Sequence, residues 1–285
     1  MFEVNRPALD YLTVTTYSPA PMLAMYSWHE SVNETGRESH VMQYAGDLRS
    51  DRYGTSFLGT ATQRDMTHSM LRVSGMLSQS AFNAIKAFIL TGSVNVTRID
   101  LQVTVEYNRF DWSQVDLADA LREMSPNRSV SYIESRSGPQ QTKLATVYYG
   151  SRKSDRLTRI YEKMGMGDEV LLRFEAECKG RRAIVTAKHL AMGDTVKAVL
   201  WAEVLRIPDA YNLRRLLSKC LETTPKYIRV VDEPGGTGKW LREVVLSSLD
   251  RYLNQHDEES SEMAHLFYRV IKEHLTNGLE SGKLG

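Results

Sequence analysis

Three segments of this chain alternate apolar with charged residues, and this two-residue period constrains the fold more than any other feature. Val94–Val105 (VNVTRIDLQVTV) puts Ile99, Leu101, Val103 and Val105 on one side and Arg98, Asp100, Gln102 and Thr104 on the other. Leu157–Lys163 (LTRIYEK) turns Arg159, Tyr161 and Lys163 to one face. Val170–Lys179 (VLLRFEAECK) separates Leu172, Phe174 and Ala176 from Arg173, Glu175 and Glu177. Successive side chains of a strand point to opposite faces, so each segment reads as a strand with one apolar face. Antiparallel sheets commonly bury one face and leave the other free. If the three strands are neighbours, their charged groups converge on one surface.

The surrounding sequence predicts more strands and some helix. Tyr11–Tyr17 (YLTVTTY) is β-branched and aromatic, which predicts a strand. Residues 29–55 are polar and glycine-bearing and predict a loop-rich stretch. Met70–Val73 predicts a short strand ending at Ser74-Gly75. Ser78–Leu90 has helical apolar spacing and stops at Thr91-Gly92. Asp116–Met124 predicts a short helix. Ser129–Ser135 and Thr142–Gly150 predict strands joined by the Ser137-Gly138-Pro139 turn. After about residue 180 the pattern becomes helical. Pro208 opens Asp209–Leu221, and Trp240–Asn254 and Ser261–Leu275 predict a helical pair. No internal repeat is evident. The expected class is α+β: an antiparallel-sheet domain over 1–190, followed by a helical region over 191–285.

Composition narrows the function classes. With 285 residues, 42% of them hydrophobic, the chain can bury one large core or two smaller ones. No run of about 18 apolar residues predicts a membrane helix. The opening MFEVNRPALDY lacks the basic and apolar regions of a signal peptide. Cys178 and Cys220 lie far apart, which fits a reducing cytoplasm. The seven histidines form neither H-x-H nor H-E-x-x-H. Net charge is only +1, low for a nucleic-acid binder, but charge is clustered. Arg152, Lys153, Arg156, Arg159 and Lys163 crowd one stretch, and Arg173, Lys179, Arg181, Arg182 and Lys188 the next. Such clusters suit a phosphate-binding surface or a solvated charged face.

The charged strand faces have two readings. Carboxylate oxygens suit Mg²⁺ or Mn²⁺, arginines suit phosphate, and a tyrosine among them is a candidate nucleophile. An ordinary solvent-facing sheet with weak surface ion pairs shows the same alternation. Patterning alone leaves both open. Gly235-Gly236-Thr237-Gly238-Lys239 is not a phosphate loop: Glu233 stands where that pattern needs glycine, and Trp240 where it needs Ser or Thr.

Three motifs, in order, resemble those of the replication initiation factor family of rolling-circle plasmids, phages and mobile elements. Thr97-Arg98-Ile99-Asp100-Leu101 is similar to the family's T-R-[IL]-D-L. Tyr149-Gly150-Ser151-Arg152-Lys153-Ser154-Asp155, running into Arg159-Ile160-Tyr161-Glu162-Lys163, is similar to Y-x-G-x-R-x-S-D…R-I-Y-[ND]-K. Leu172-Arg173-Phe174-Glu175-Ala176-Glu177 is similar to R-[VF]-E-x-E. The resemblance spans roughly residues 95–180. It implies a nickase-like fold related to the histidine-metal nickases but lacking their histidine pair. It makes residues 1–190 a DNA-nicking domain and leaves 191–285 for DNA binding or dimerisation.

The resemblance also implies roles. Tyr161 is the nucleophile, with Arg159 and Lys163 in the catalytic set. Asp100, Glu175 and Glu177 hold Mg²⁺ or Mn²⁺, and Arg98, Arg152, Lys153, Arg156 and Arg173 contact DNA. Family members often carry a second aspartate four residues after the first, where this chain has Thr104. The implied reaction is metal-dependent nicking of a replication origin, single-stranded or cruciform at the nick, through a 5′-phosphotyrosyl link. A single motif tyrosine implies a homodimer for the second transfer, and replication implies a host helicase as partner. A mobile-element relaxase with the same chemistry, a non-catalytic DNA-binding regulator and an unrelated α+β protein are the alternatives.

Overall fold

In the computed structural model the described residues are 4–32, 37–41, 43–63, 66–107, 112–137, 142–165 and 169–221. The elements in chain order begin with β1 (Ala8–Thr16), α1 (Pro19–Glu30), β2 (Arg37–Val41), β3 (Tyr44–Asp51), β4 (Gly54–Gln63), β5 (Met66–Gly75) and α2 (Leu77–Thr91). They continue with β6 (Asn95–Glu106), α3 (Gln114–Met124), β7 (Val130–Ser137), β8 (Thr142–Tyr149), β9 (Arg156–Met164), β10 (Val170–Lys179) and α4 (Gly180–Ala191). After α5 (Val196–Val204), a 3₁₀ turn (Ala210–Asn212) leads into α6 (Leu213–Ser218). The protein is thus mixed α/β, with ten strands and six α-helices among the described residues.

All ten strands join one antiparallel sheet, in the order β2-β3-β4-β5-β1-β6-β10-β9-β8-β7. That order reveals an internal duplication. Each half runs strand, helix, four-strand meander, helix: β1-α1-β2-β3-β4-β5-α2, then β6-α3-β7-β8-β9-β10-α4. The first strands of the halves, β1 and β6, pair at the centre, and the meanders extend outward from them. The sequence shows no repeat because likeness survives in so few positions; a shared backbone needs only matching burial and register.

The helices pack on one face of the sheet. Leu12, Val14, Val73, Ile99, Leu101 and Phe174 meet Ile85 and Ile89 of α2, Leu117 and Leu121 of α3, and Ala183 and Ala187 of α4 in one core. Small side chains at 183 and 187 let α4 lie close over β6, whose Leu101 and Val103 are fully buried. Gly92 ends α2 in the left-handed conformation (φ 76°), which a residue with a Cβ adopts only at a cost.

Three expectations change. Residues 29–55 are not loop-rich: they contain β2, β3 and the start of β4, in register through Asp51↔Gly54. Their polar composition hid them, because β3 contributes no fully buried residue. His29 on α1 ties this meander down, meeting Ser56 Oγ at 2.6 Å and Asp47 Oδ2 at 3.1 Å. Second, the core of the sheet does not stop at residue 190, since Val199, Leu200 and Val204 of α5 and Leu217 of α6 enter it. Third, the helix expected over Asp209–Leu221 is broken at Tyr211 and Asn212, both at positive φ. The helices expected at Trp240–Asn254 and Ser261–Leu275, and the Gly235–Lys239 turn, lie outside the described residues.

Candidate active site

The three charged strand faces are adjacent. β10 lies between β6 and β9, so Arg173 is flanked by Thr104 and Tyr161, Glu175 by Gln102 and Arg159, and Glu177 by Asp100 and Leu157. Alternation alone could not show this, because register and strand order are tertiary properties.

The carboxylates lie at the base and the arginines above them. The side chains of Asp100, Glu175 and Glu177 are 1%, 4% and 7% exposed, whereas those of Arg98 and Arg159 are 30% and 26% exposed. Arg98 grips Asp100 with two parallel bonds, Nε to Oδ1 at 2.9 Å and Nη2 to Oδ2 at 2.5 Å. It also reaches Glu177 Oε2 at 2.8 Å. Arg159 Nη2 bridges all three acids: Asp100 Oδ2 at 3.0 Å, Glu177 Oε2 at 3.4 Å, and Glu175 Oε1 in a short contact. Lys179 Nζ meets Glu177 Oε1 at 2.8 Å. Buried acids this close need such donors, because an unpaired charge in this setting is costly.

Tyr161 donates its hydroxyl to Glu175 Oε2 at 3.1 Å. The Arg173 guanidinium lies 5.9 Å from the Tyr161 ring centroid and donates through Nε to Thr104 Oγ1 at 2.9 Å. Thr104 in turn donates to Gln102 Oε1 at 3.2 Å. Thr104 therefore belongs to the structure beneath Tyr161, where it positions an arginine. Burial, and then the Glu175 charge, push the Tyr161 phenol above its ordinary range, against the pull of Arg173. Burial also raises Glu175, to about 7, opposed by Arg159 and assisted by Asp100 and Asp10. Lys163 is lowered to about 8, chiefly by burial and then by Arg173.

These acids do not fit Mg²⁺ or Mn²⁺ as they stand. Each of the six carboxylate oxygens of Asp100, Glu175 and Glu177 already accepts from Arg, Lys or Tyr. A hard cation asks for oxygens turned toward it, whereas these are turned toward guanidinium and ammonium groups. Among the described residues, no three His, Cys, Asp or Glu side chains form a metal-ligand group.

The DNA-contact candidates separate. Arg98 is within the cluster. Arg152 and Lys153 are exposed on the β8–β9 turn, Arg152 over the Tyr148 ring at 5.3 Å. Tyr148 pairs with Arg159, so this turn borders the site. Arg173 is 3% exposed and supports Tyr161 from within the protein. Arg156 is on the wrong face: it pairs with Cys178 in register and faces Glu203 of α5 at 3.6 Å, on the helix side. Its place in the basic cluster concealed that even-numbered β9 positions point away from Tyr161.

Sequence reasoning missed Asp10. The β1–β6 register shifts between Leu9 and Tyr11, leaving Asp10 at an irregularity beside Asp100. Its charge acts on Tyr161, Lys163 and Glu175, and its Oδ1 is buried with no hydrogen-bond partner among the described residues. A bulge re-aims a side chain in a way that strict alternation does not reveal.

No helix among the described residues is long and apolar enough to cross a membrane. The sequence matches no protein-family model and no curated protein. Among solved structures it is similar to the crystal structure of DynU16, a protein of the dynemicin biosynthetic locus, at 10% identity and a TM-score of 0.19, over 64% of this chain and 92% of that one.

Proposed function

We propose that this protein is a rolling-circle-type initiator, a nickase-like enzyme that cuts one DNA strand with Tyr161 and remains joined to the 5′ end. The observation that carries the reading is the Tyr161 hydroxyl on Glu175, with Arg159 spanning Glu175 and Asp100 beside it. A phenol with a base in hydrogen-bond reach and guanidinium groups at the rim is the equipment of phosphoryl transfer. The motif resemblance supplies the substrate class, origin DNA in a bacterial cytoplasm. A homodimer supplies the second tyrosine for religation, and a host helicase opens the duplex. A relaxase acting on a mobile element would use the same chemistry.

Tyr161 Oη attacks phosphorus in line, and the bond from phosphorus to the 3′ oxygen breaks. The tyrosyl proton passes to Glu175, and the departing 3′ oxygen takes a proton from Lys163, which shares the face of Tyr161. The products are a 5′-phosphotyrosine and a free 3′-hydroxyl. A phenol at or above pKa 10 and an acceptor near 7 differ by about 4 kcal/mol or more, so free tyrosinate is scarce. The proton therefore moves as the new bond forms. Arg159 and Arg98 offset charge on the phosphoryl oxygens, and the retained ester energy permits religation without ATP.

The test is nicking of supercoiled DNA carrying this gene and its flanks, with and without Mg²⁺ or Mn²⁺. Open circles and a protein–DNA adduct are expected, both absent in Tyr161→Phe, which still binds DNA. A Tyr161→Phe protein that nicks would refute the assignment, and binding without nicking under every condition would favour a regulator.

A further inference from the structure

The two halves of the sheet share a backbone but differ in what they present on the face of Tyr161. The first half also sets an arginine over an aromatic ring on this face, in the pair Phe57–Arg72. These are register partners, and the Arg72 guanidinium lies 5.9 Å from the Phe57 ring centroid, as Arg173 does from Tyr161. Two residues along, Thr55 and Ser74 are register partners whose hydroxyls hydrogen-bond at 2.7 Å. Phe57 carries no hydroxyl, and among the described residues of β4 and β5 no acid stands beside it, so the first half has an arginine over a ring without a nucleophile or base.

What remains has a chemistry of its own. Apart from Asp10, which acts on the Tyr161 cluster, the described residues of β1, β5, β4 and β3 put no Asp or Glu on this face. Arg72 has no ion-pair partner among the described residues, unlike Arg98 and Arg159. Further along the face, Tyr17 and Tyr44 each pack on His68, with ring centroids 5.1 and 5.0 Å apart, and Tyr17 is 58% exposed. The His68 Nδ1 is buried and has no hydrogen-bond partner among the described residues.

We infer that this first-half face is a second, non-cleaving site for single-stranded DNA, with a base stacked on the exposed Tyr17 ring, which the buried His68 and the half-buried Tyr44 hold in place, and a phosphate at Arg72. Aromatic faces accept any base, and a groove without carboxylates does not repel the backbone. The β1–β6 ladder makes the face continuous with that of Tyr161, so one strand can be held by the first half and cut by the second. The inference rests on the strand-nicking reading.

The experiment titrates the full chain, as Tyr161→Phe, into a fluorescein-labelled single-stranded oligonucleotide and reads anisotropy. Tyr17→Ala and Arg72→Gln, each added to that background, should weaken binding by about five- to a hundredfold. Tyr17→Phe should restore it, and Arg72→Gln should lower the salt slope by about 0.7. Tyr17 is exposed, so Tyr17→Ala decides the matter even if Arg72→Gln fails to fold. If the wild-type protein nicks but both variants bind as tightly as the Tyr161→Phe background, this inference fails alone. If the protein neither nicks nor binds, the nicking reading fails with it.

Discussion

Glu175→Gln is the most informative change, because it keeps the shape of the side chain and removes only the base. In the folded protein Glu175 accepts from Tyr161 at 3.1 Å and is raised to about 7, so half of the molecules hold a usable base at that pH. At pH 6 about one in ten does, which predicts a nicking rate about a tenth of the plateau, falling tenfold for each further pH unit. Losing a positioned general base costs about 10²- to 10⁴-fold, so the variant should be that much slower at pH 8 and should lose the acid limb near 7. The stability sign runs in a different direction. Glu175 ionises more easily in the unfolded chain than in the folded one. The wild type therefore loses stability as pH rises from about 4.5 to about 7, and the variant is spared that loss. The assay is single-turnover adduct formation from pH 5 to pH 8, paired with urea unfolding at the same values. A variant that nicks at the wild-type rate, or keeps a limb near 7, would refute Glu175 as the base.

Other changes test the remaining links. Arg159→Met leaves Asp100, Glu175 and Glu177 without their shared donor and should cost about 3–5 kcal/mol in urea unfolding; a change below about 1 kcal/mol would show that the cluster is solvated. Gln114 is 2% exposed, and neither amide atom has a partner among the described residues, so Gln114→Leu should raise stability by about 1–3 kcal/mol, and a lower urea midpoint would show that the amide is paired in solution. Because all six oxygens of Asp100, Glu175 and Glu177 are engaged, millimolar Mg²⁺ should leave the melting temperature of the DNA-free protein unchanged; a rise of several degrees would show that the cation displaces the arginines.

The sequence alone determined which residues share a strand face. Alternation separated Arg98 and Asp100 from Ile99, Arg159 and Tyr161 from Ile160, and Glu175 from Phe174, because side-chain direction in a strand depends only on position parity. It also determined a helix over Ser78–Leu90, found as Leu77–Thr91, because its spacing and Gly92 stop are local signals. Only the tertiary structure decided which strands are neighbours, and therefore that Tyr161 meets Glu175 and that Arg159 spans three acids. Pairing is set by long-range register, which leaves no mark at either strand separately. The same holds for Asp10, brought in by an irregularity of register, and for Arg156, which parity sends to the helix side within a basic cluster. The duplication was hidden for the opposite reason: a backbone can repeat on matching burial and register while almost every exposed side chain diverges.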